Sequence, residues 1–315
     1  MRVVSTSPSF AQYSQAPLAL LAEHGIDCLR LAADLTQEAF IEQARDAQAA
    51  IVAFTPISAR VLDALPNLRL VCKHGVGVDN IDLDAARERG VWVCNVPGAN
   101  RHAVADFTFA LLLALARRIP QADRLTRLGE WPRLFGIGVH GKTLGIVGLG
   151  NIGREVARRA RGFDMQVLAH EPYPAPGLEA QLGVELCSLD ELCARSDFIS
   201  LHVGLDAATR HLIDAAALAR MKPGAMLINA ARGGVVDEDA LHAALRDGRI
   251  AGAALDAFEQ EPPYGSALLG LDSVIATSHI AGYTEEALTA LSLACVDNVI
   301  RVARGETPLN VVNAT

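Results

Sequence analysis

Three polar residues stand just after apolar runs in the second half of the sequence: Arg232 after "AMLINAA", Glu261 closing "AGAALDAFEQE" and His279 after "SVIATS". Each type suits one part of a reaction. An arginine grips a carboxylate through two parallel hydrogen bonds and does not lose its proton. A histidine gives or takes a proton near neutral pH. A glutamate beside it favours the imidazolium and fixes the tautomer. Taken singly, the three read as a helix cap, a loop surface residue and a satisfied core histidine. Taken together at strand ends beside a nucleotide-binding pattern, they read as an acid–base site. With a hydride carrier, such a set interconverts an alcohol and a ketone beside a carboxylate.

The carrier has its own pattern. In "KTLGIVGLGNIGREVARRARGF", Gly148, Gly150 and Gly153 keep GxGxxG spacing, after an apolar strand and at the start of a helix with Ile152, Val156 and Ala160 on one side. That context gives the motif its meaning. The first glycine permits a tight turn, the second lets a pyrophosphate approach the backbone, and the third lets helix and strand pack closely. The helix N-terminus supplies N–H donors and the positive end of its dipole. Glu171 follows Gly153 by 18 positions, near the spacing expected of the acid that takes the adenosine ribose hydroxyls. A carboxylate there repels a ribose phosphate, and Pro172, Tyr173 and Pro174 follow it with no cation, so NAD is expected over NADP. His170 beside it reads as incidental.

Positioning these groups requires two series of strands and helices. The first hundred residues alternate "RVVST", "DCLRLA", "AAIVAF", "LRLVCKHG" and "VWVCNV" with helical patterns such as "TQEAFIEQARDA". A second series starts at Lys142, with strands "TLGIVGL", "QVLAHE", "FISLHV", "AMLINA", "AGAALDAF" and "SVIATS". Strands separated by helices pair in parallel through right-handed crossovers. The expected fold is therefore α/β, with two doubly wound parallel-sheet domains: 1–100 plus 284–315, and 101–283. Between the series, His102 to Trp131 reads as one long, unusually apolar helix. Such a helix needs a cover, either this chain's own core or a second copy, and a homodimer through 101–131 is one expectation.

Composition excludes several classes. The chain has 315 residues, 51% hydrophobic and 20% charged, enough for two domains with sizeable cores. A net charge of −8 argues against nucleic acid as a partner. No signal-peptide pattern opens the sequence, and the longest apolar run, "FALLLALA", is far short of a membrane span. The 6 cysteines form no CxxC. They read as reduced core residues of a cytoplasmic protein, with no metal site.

The stretches "GVGVDNIDLDAA", "VPGANRHAVADFTFALLLALARR", "GKTLGIVGLGNIGREVARRA", "LINAARGGVVDEDAL", "GAALDAFEQEPP" and "SHIAGYT" resemble, in order and spacing, the D-2-hydroxyacid dehydrogenase family, nearest its D-3-phosphoglycerate dehydrogenase branch. The resemblance covers nearly the whole chain. It implies a flavodoxin-like substrate domain and a Rossmann NAD-binding domain with a cleft between them. It also implies that Arg232 binds the substrate carboxylate and polarises its carbonyl, that His279 is the acid–base residue, and that Glu261 is its partner. Asn151, Ile152 and Glu171 would hold the pyrophosphate and ribose of NAD. Val203, Ala230, Asp256 and Gly282 would line the cofactor cleft, with Asp256 near the nicotinamide amide. Backbone donors of Val76 and Gly77 would meet the substrate carboxylate. Lys73 would contact a phosphate or second acid group of the substrate, or else be an exposed strand-end lysine. Arg101 and His102 are weaker candidates for the same task. The sequence departs from the family pattern at Ser278 and Gly204, where proline is usual, and at Glu171, where aspartate is commoner. The expected substrates are D-2-hydroxy and 2-keto acids, extending to the 3-phosphoglycerate and hydroxypyruvate type. An NAD(H)-sensing corepressor of the same fold is the alternative from another class, and formate dehydrogenase a more distant one.

Overall fold

Strands covered by helices on both faces need apolar side chains in both directions, so they read as short continuous apolar runs. "AAIV", "LVCK", "MLIN" and "GAAL" are of this kind, with every residue buried. The computed structural model describes residues 1–314, and the chain divides into two units, Met1–Asn100 with the chain from Tyr283 onward, and Arg101–Gly282.

Unit 1 alternates β1 (Arg2–Ser5), α1 (Ala16–Glu23), β2 (Asp27–Arg30), α2 (Gln37–Gln43), β3 (Ala49–Val52), α3 (Ala59–Ala64), β4 (Leu70–Lys73), α4 (Leu83–Glu88) and β5 (Trp92–Cys94). Its five strands pair in parallel in the order β2-β1-β3-β4-β5, the flavodoxin-like winding. Short helices here are held by their ends: Thr36 accepts from Ala39 N–H at 3.2 Å and Asp82 from Ala85 N–H at 2.9 Å. The helix Glu285–Ala303 returns to this unit and lays Leu288, Leu291, Cys295 and Val299 against Val3, Ile51, Leu70 and Cys72. Each large apolar side chain buried in this way contributes about 1.5–3 kcal/mol.

Unit 2 begins with α5 (Arg101–Ala116) and α6 (Ile119–Arg127). It continues through β6 (Thr143–Val147), α7 (Asn151–Ala160), β7 (Gln166–His170), α8 (Leu178–Leu182), β8 (Glu185–Leu186), α9 (Leu189–Arg195) and β9 (Phe198–Leu201). It closes with α10 (Ala215–Arg220), β10 (Met226–Asn229), α11 (Glu238–Arg246), β11 (Gly252–Leu255) and β12 (Val274–Ala276). Its seven strands are all parallel, in the order β12-β11-β10-β9-β6-β7-β8. The winding reverses between β6 and β9, and that switch point is where doubly wound sheets bind nucleotides.

One expected element needs correction. The single helix from His102 to Trp131 is two helices. The first ends at Ala116, Arg118 takes left-handed angles (φ 55°), and the second ends at Arg127. Pro120 is the cause: it has no N–H to give the carbonyl four residues back, so it is accommodated in the first turn of a new helix and not in the interior of a continuous one. The carbonyl it would have met, that of Ala116, accepts instead from Ile137 N–H at 2.9 Å. The apolarity of α5 is accounted for within unit 2, because Ala105, Phe109, Leu112, Leu115 and Ala116 pack with Leu144, Ile146, Val156 and Ile228. In this stretch of the chain, strongly exposed apolar side chains lie further on, at Leu128, Trp131 and Phe135.

Candidate active site

The turn from β6 into α7 shows why three glycines are needed. Gly148 has φ +94°, and a Cβ there would come within 2.8 Å of His202 O and of a Val203 methyl. A Cβ at Gly153 would lie 2.0 Å from Gly148 O. Both constraints come from the protein itself. Gly150 differs: it has an ordinary negative φ of −68°, and nothing stands within 4 Å of an added Cβ. No internal contact demands a glycine at that position. The open space suits a group arriving from outside, beside the first-turn N–H groups of Asn151 and Ile152. The residues present therefore fit a dinucleotide pyrophosphate, and Val203, half-buried at the end of β9, lies on the other side of the switch point.

Glu171, half-buried just past β7, is wired into this turn. One carboxylate oxygen accepts from Leu149 N–H at 2.8 Å and the other from Tyr173 N–H at 3.2 Å. The carboxylate thus braces the glycine loop, and each oxygen keeps acceptor capacity for a hydroxyl. His170 beside it meets Cys187 O at 3.3 Å, an ordinary strand-end contact.

Arg232 follows β10 in extended backbone (φ −142°, ψ 138°) and is half-buried. Its turn is braced by Asn229, 1% exposed, whose amide donates to Arg232 O at 2.9 Å and accepts from Ala231 N–H at 3.1 Å. Arg232 Nη1 donates to Ala231 O at 2.8 Å. Ala230 is half-buried between this turn and β10. Gly233 has no positive φ; its small size is needed because a Cβ would fall 1.8 Å from Phe258 C and 2.2 Å from Glu259 N. The Arg232 turn therefore sits directly on the segment that leads to Glu261. Two glutamates lock the same junction: Glu238 at the start of α11 accepts from Glu259 N–H at 2.7 Å, and Glu259 accepts from Glu238 N–H at 3.3 Å.

His279 and Glu261 meet. Both carboxylate oxygens lie 2.9 Å from His279 Nδ1, and one of them also accepts from Phe258 N–H at 3.1 Å. Burial works against a charge on Glu261. The His279 hydrogen bond and charge, the Phe258 N–H and the nearby Arg232 outweigh it, so its carboxyl titrates below the usual carboxylate range. With Nδ1 turned to a carboxylate, a proton exchanged with a substrate would pass through Nε2.

His279 is also one of the few non-glycine residues with a left-handed backbone, at φ 56°. That conformation costs about 1–2 kcal/mol. Asp256, 1% exposed at the end of β11, holds it in place. Asp256 accepts from Ile280 N–H at 2.9 Å, Ala281 N–H at 2.8 Å and Thr277 Oγ1–H at 2.6 Å. Sequence reasoning set Asp256 in the cofactor cleft. The structure places it beneath the His279 loop with its carboxylate engaged by that loop. Gly282, half-buried, ends the loop and the unit.

In unit 1, the Gly75–Gly77 loop follows β4 and is tied down through its carbonyls: Gly75 O accepts from Val96 N–H at 2.9 Å and Val76 O from the Asn95 amide at 2.7 Å. Lys73 needs correction, because it is not an exposed strand-end lysine. It is 6% exposed, and its ammonium donates to Ala53 O and, at 2.7 Å, to Asn80 Oδ1. Arg101 and His102 open α5 in unit 2, where His102 Nδ1 lies 3.3 Å from Glu155 and Arg101 Nε 4.0 Å from it. Asn229, Glu238 and Glu259 were not singled out in the sequence.

A Rossmann sheet with a glycine turn at its switch point, and a paired histidine and carboxylate at the ends of other strands, defines a dinucleotide-dependent oxidoreductase. The family model described as D-isomer specific 2-hydroxyacid dehydrogenase, NAD binding domain, matches residues 109–281. A glyoxylate reductase of Korarchaeum cryptofilum is 44% identical over 305 residues, 94% of this chain and 92% of that protein. A D-3-phosphoglycerate dehydrogenase of Methanocaldococcus jannaschii is also 44% identical, over 90% of this chain but 55% of that longer protein, so the chain spans about half of its length. The solved D-lactate dehydrogenase of Aquifex aeolicus, complexed with NAD and lactic acid, superposes with a TM-score of 0.87 at 29% identity and full coverage of both chains. The chain belongs to the D-isomer specific 2-hydroxyacid dehydrogenase family, and it is an NAD-dependent oxidoreductase of that family. The corepressor reading is not favoured. Among the described residues, no helix is long and apolar enough to cross a membrane.

Proposed function

We propose that this chain interconverts a D-2-hydroxy acid and its 2-keto acid, with Arg232, Glu261 and His279 as its catalytic set. The observation that carries this reading is the His279–Glu261 pair at 2.9 Å, on a loop held in left-handed backbone by Asp256. NAD supplies or accepts the hydride when bound. Gly148, Gly150, Asn151, Ile152 and Gly153 would take its pyrophosphate, Glu171 its ribose, and Val203, Ala230 and Gly282 its nicotinamide side. Asp256 acts there as a positioning residue for the histidine loop. In keto-acid reduction, His279 Nε2 gives its proton to the carbonyl oxygen while Glu261 steadies the imidazolium through Nδ1. Arg232 holds the substrate carboxylate and stabilises the charge that grows on that oxygen. In unit 1, the backbone N–H groups of Val76 and Gly77 are the candidate donors to a substrate carboxylate.

The test is NADH and NADPH oxidation with glyoxylate, pyruvate, hydroxypyruvate and 3-phosphohydroxypyruvate. Turnover with at least one of them, faster with NADH, is the expected result; tight NADH binding with no turnover on any would favour a sensor instead. Two further readings accompany this one. The six cysteines are all free thiols, which suits the reducing cytoplasm. The exposed Leu128, Trp131 and Phe135, at 70%, 78% and 86% exposure, suit a homodimer whose contact runs from the 101–131 region into the segment that follows.

A further inference from the structure

Relatives that match this chain equally well carry names for a phosphorylated and an unphosphorylated substrate, so similarity alone does not choose between them. The loops at the carboxyl ends of the unit 1 strands are the place to look for that choice. Ligands of doubly wound sheets meet the protein at that end, and a phosphate there would need an available cation.

Lys73 is engaged elsewhere. Its ammonium bonds Ala53 O and Asn80 Oδ1; the Asn80 amide bonds Thr55 O at 2.7 Å and Ala53 O at 3.3 Å; and Ile57 N–H closes onto Asn80 O at 2.9 Å. Lysine and asparagine together form a strut between the loop after β3 and the loop after β4. Over the lysine lies the ring of Phe54, with Nζ 5.6 Å from its centroid, and Phe54 itself is 51% exposed. What the strut presents to solvent is therefore an aromatic ring.

The other basic groups at this end do not replace it. His74 is 6% exposed and bonded to Ser7, Ser9 and Ser292, and burial pushes its titration down to about 4, so it is uncharged at neutral pH. Arg60, in the first turn of α3, pairs with Glu38 at 2.8 Å. Arg30 ends the edge strand β2, three strand spacings or about 14 Å from β4. The loops after β1, β3 and β5 (residues 6–15, 53–58 and 95–100) hold no lysine or arginine, Arg101 directly beyond them opens α5 of unit 2 with its Nε 4.0 Å from Glu155, and Asp79 is exposed on the loop after β4.

We infer that unit 1 reads an uncharged substrate end, so that the enzyme acts on small unphosphorylated 2-keto acids and their D-2-hydroxy acids, with Phe54 as the residue that sets this preference. The inference rests on the dehydrogenase reading above. An unpaired phosphate against an aromatic ring loses its water without gaining a partner, which discriminates on the order of 100-fold.

The experiment compares kcat/KM, with NADH, for hydroxypyruvate and 3-phosphohydroxypyruvate, which differ only in the phosphate. The full chain should prefer hydroxypyruvate by on the order of 100-fold. Phe54→Arg, which places a cation at the exposed position, should narrow that ratio at least about tenfold. Equal or better use of the phosphorylated acid by the unaltered chain would overturn the inference, as would a ratio that Phe54→Arg leaves unchanged. No turnover with either acid, nor with glyoxylate or pyruvate, would overturn the underlying dehydrogenase reading and this inference with it.

Discussion

Replacing Gly233 by alanine tests whether the Arg232 turn and the Glu261 segment must touch. The added Cβ would lie 1.8 Å from Phe258 C, whereas ordinary contact begins at 3.4 Å, so one backbone must retreat by about 1.6 Å. Neither neighbour is a flexible side chain that can swing away. The retreat acts three residues from Glu261, whose carboxylate lies 2.9 Å from His279, and that bond would open. Overpacking of this kind costs about 1–3 kcal/mol of stability. A misplacement of about 1 Å at a reacting group costs about 100-fold in rate. Gly234→Ala is the matched control, because its Cβ would meet side chains alone, the Leu205 methyls at 3.1 and 3.2 Å and Arg210 Nη1 at 3.5 Å, which can shift. Neither glycine has a positive φ, so backbone strain does not separate them. In an NADH-oxidation assay, Gly233→Ala should lose on the order of 100-fold in kcat/KM. Gly234→Ala should stay within a few-fold, and both should bind NADH normally by fluorescence. Equal behaviour of the two variants would refute the reasoning.

Three other perturbations follow from the same contacts. His74 and His202 are both pushed down by burial, to about 4 and about 3, while unfolded histidine titrates near 6.5. The unfolded chain therefore binds more protons below pH 6.5, and stability that is complete above that pH is lost as pH falls toward 4, by about 1.4 kcal/mol per pH unit for each histidine. Urea midpoints at pH 7 and 5 should show this fall, and His74→Gln should flatten it; an unchanged slope in the variant would count against the burial of a neutral His74. Glu171→Ala removes both the brace on Leu149 N–H and the carboxylate proposed to face the cofactor ribose, where it would repel a ribose phosphate. It should weaken NADH by about tenfold and raise the NADPH-to-NADH ratio of kcat/KM; a ratio that stays put would remove Glu171 from cofactor choice. Trp131→Asp should shift the mass measured by light scattering toward the monomer while leaving the melting of unit 2 intact. A monomeric unaltered chain would exclude the dimer.

Much of the fold was legible in the sequence because strands buried on both faces leave unbroken apolar runs, and because the glycine turn occurs in its required context. The break at Arg118 was not read, although Pro120 signalled it, because the apolar pattern continues on both sides of the proline. Arg232, Glu261 and His279 were legible as polar residues at strand ends. What fastens them was not. Asp256 reaches 24 and 25 residues along the chain to the N–H groups of Ile280 and Ala281, and Glu238 and Glu259 clasp each other across 21. Such bonds have no local spacing to betray them. The burial of Lys73 was not legible for a related reason: its partners, Ala53 and Asn80, belong to loops that only the folded sheet brings to it.

The most direct measurement is of two quantities on one preparation of His279→Ala: the NADH dissociation constant, and turnover on the best 2-keto acid of the wild-type panel. The proposed proton donor, His279, and the proposed cofactor cradle, the glycine turn, are separate parts of unit 2. The variant should therefore bind NADH within a few-fold of wild type while kcat falls by about 100-fold or more. Near wild-type turnover by His279→Ala would contradict the assignment of the acid–base residue, and with it the reading of the site.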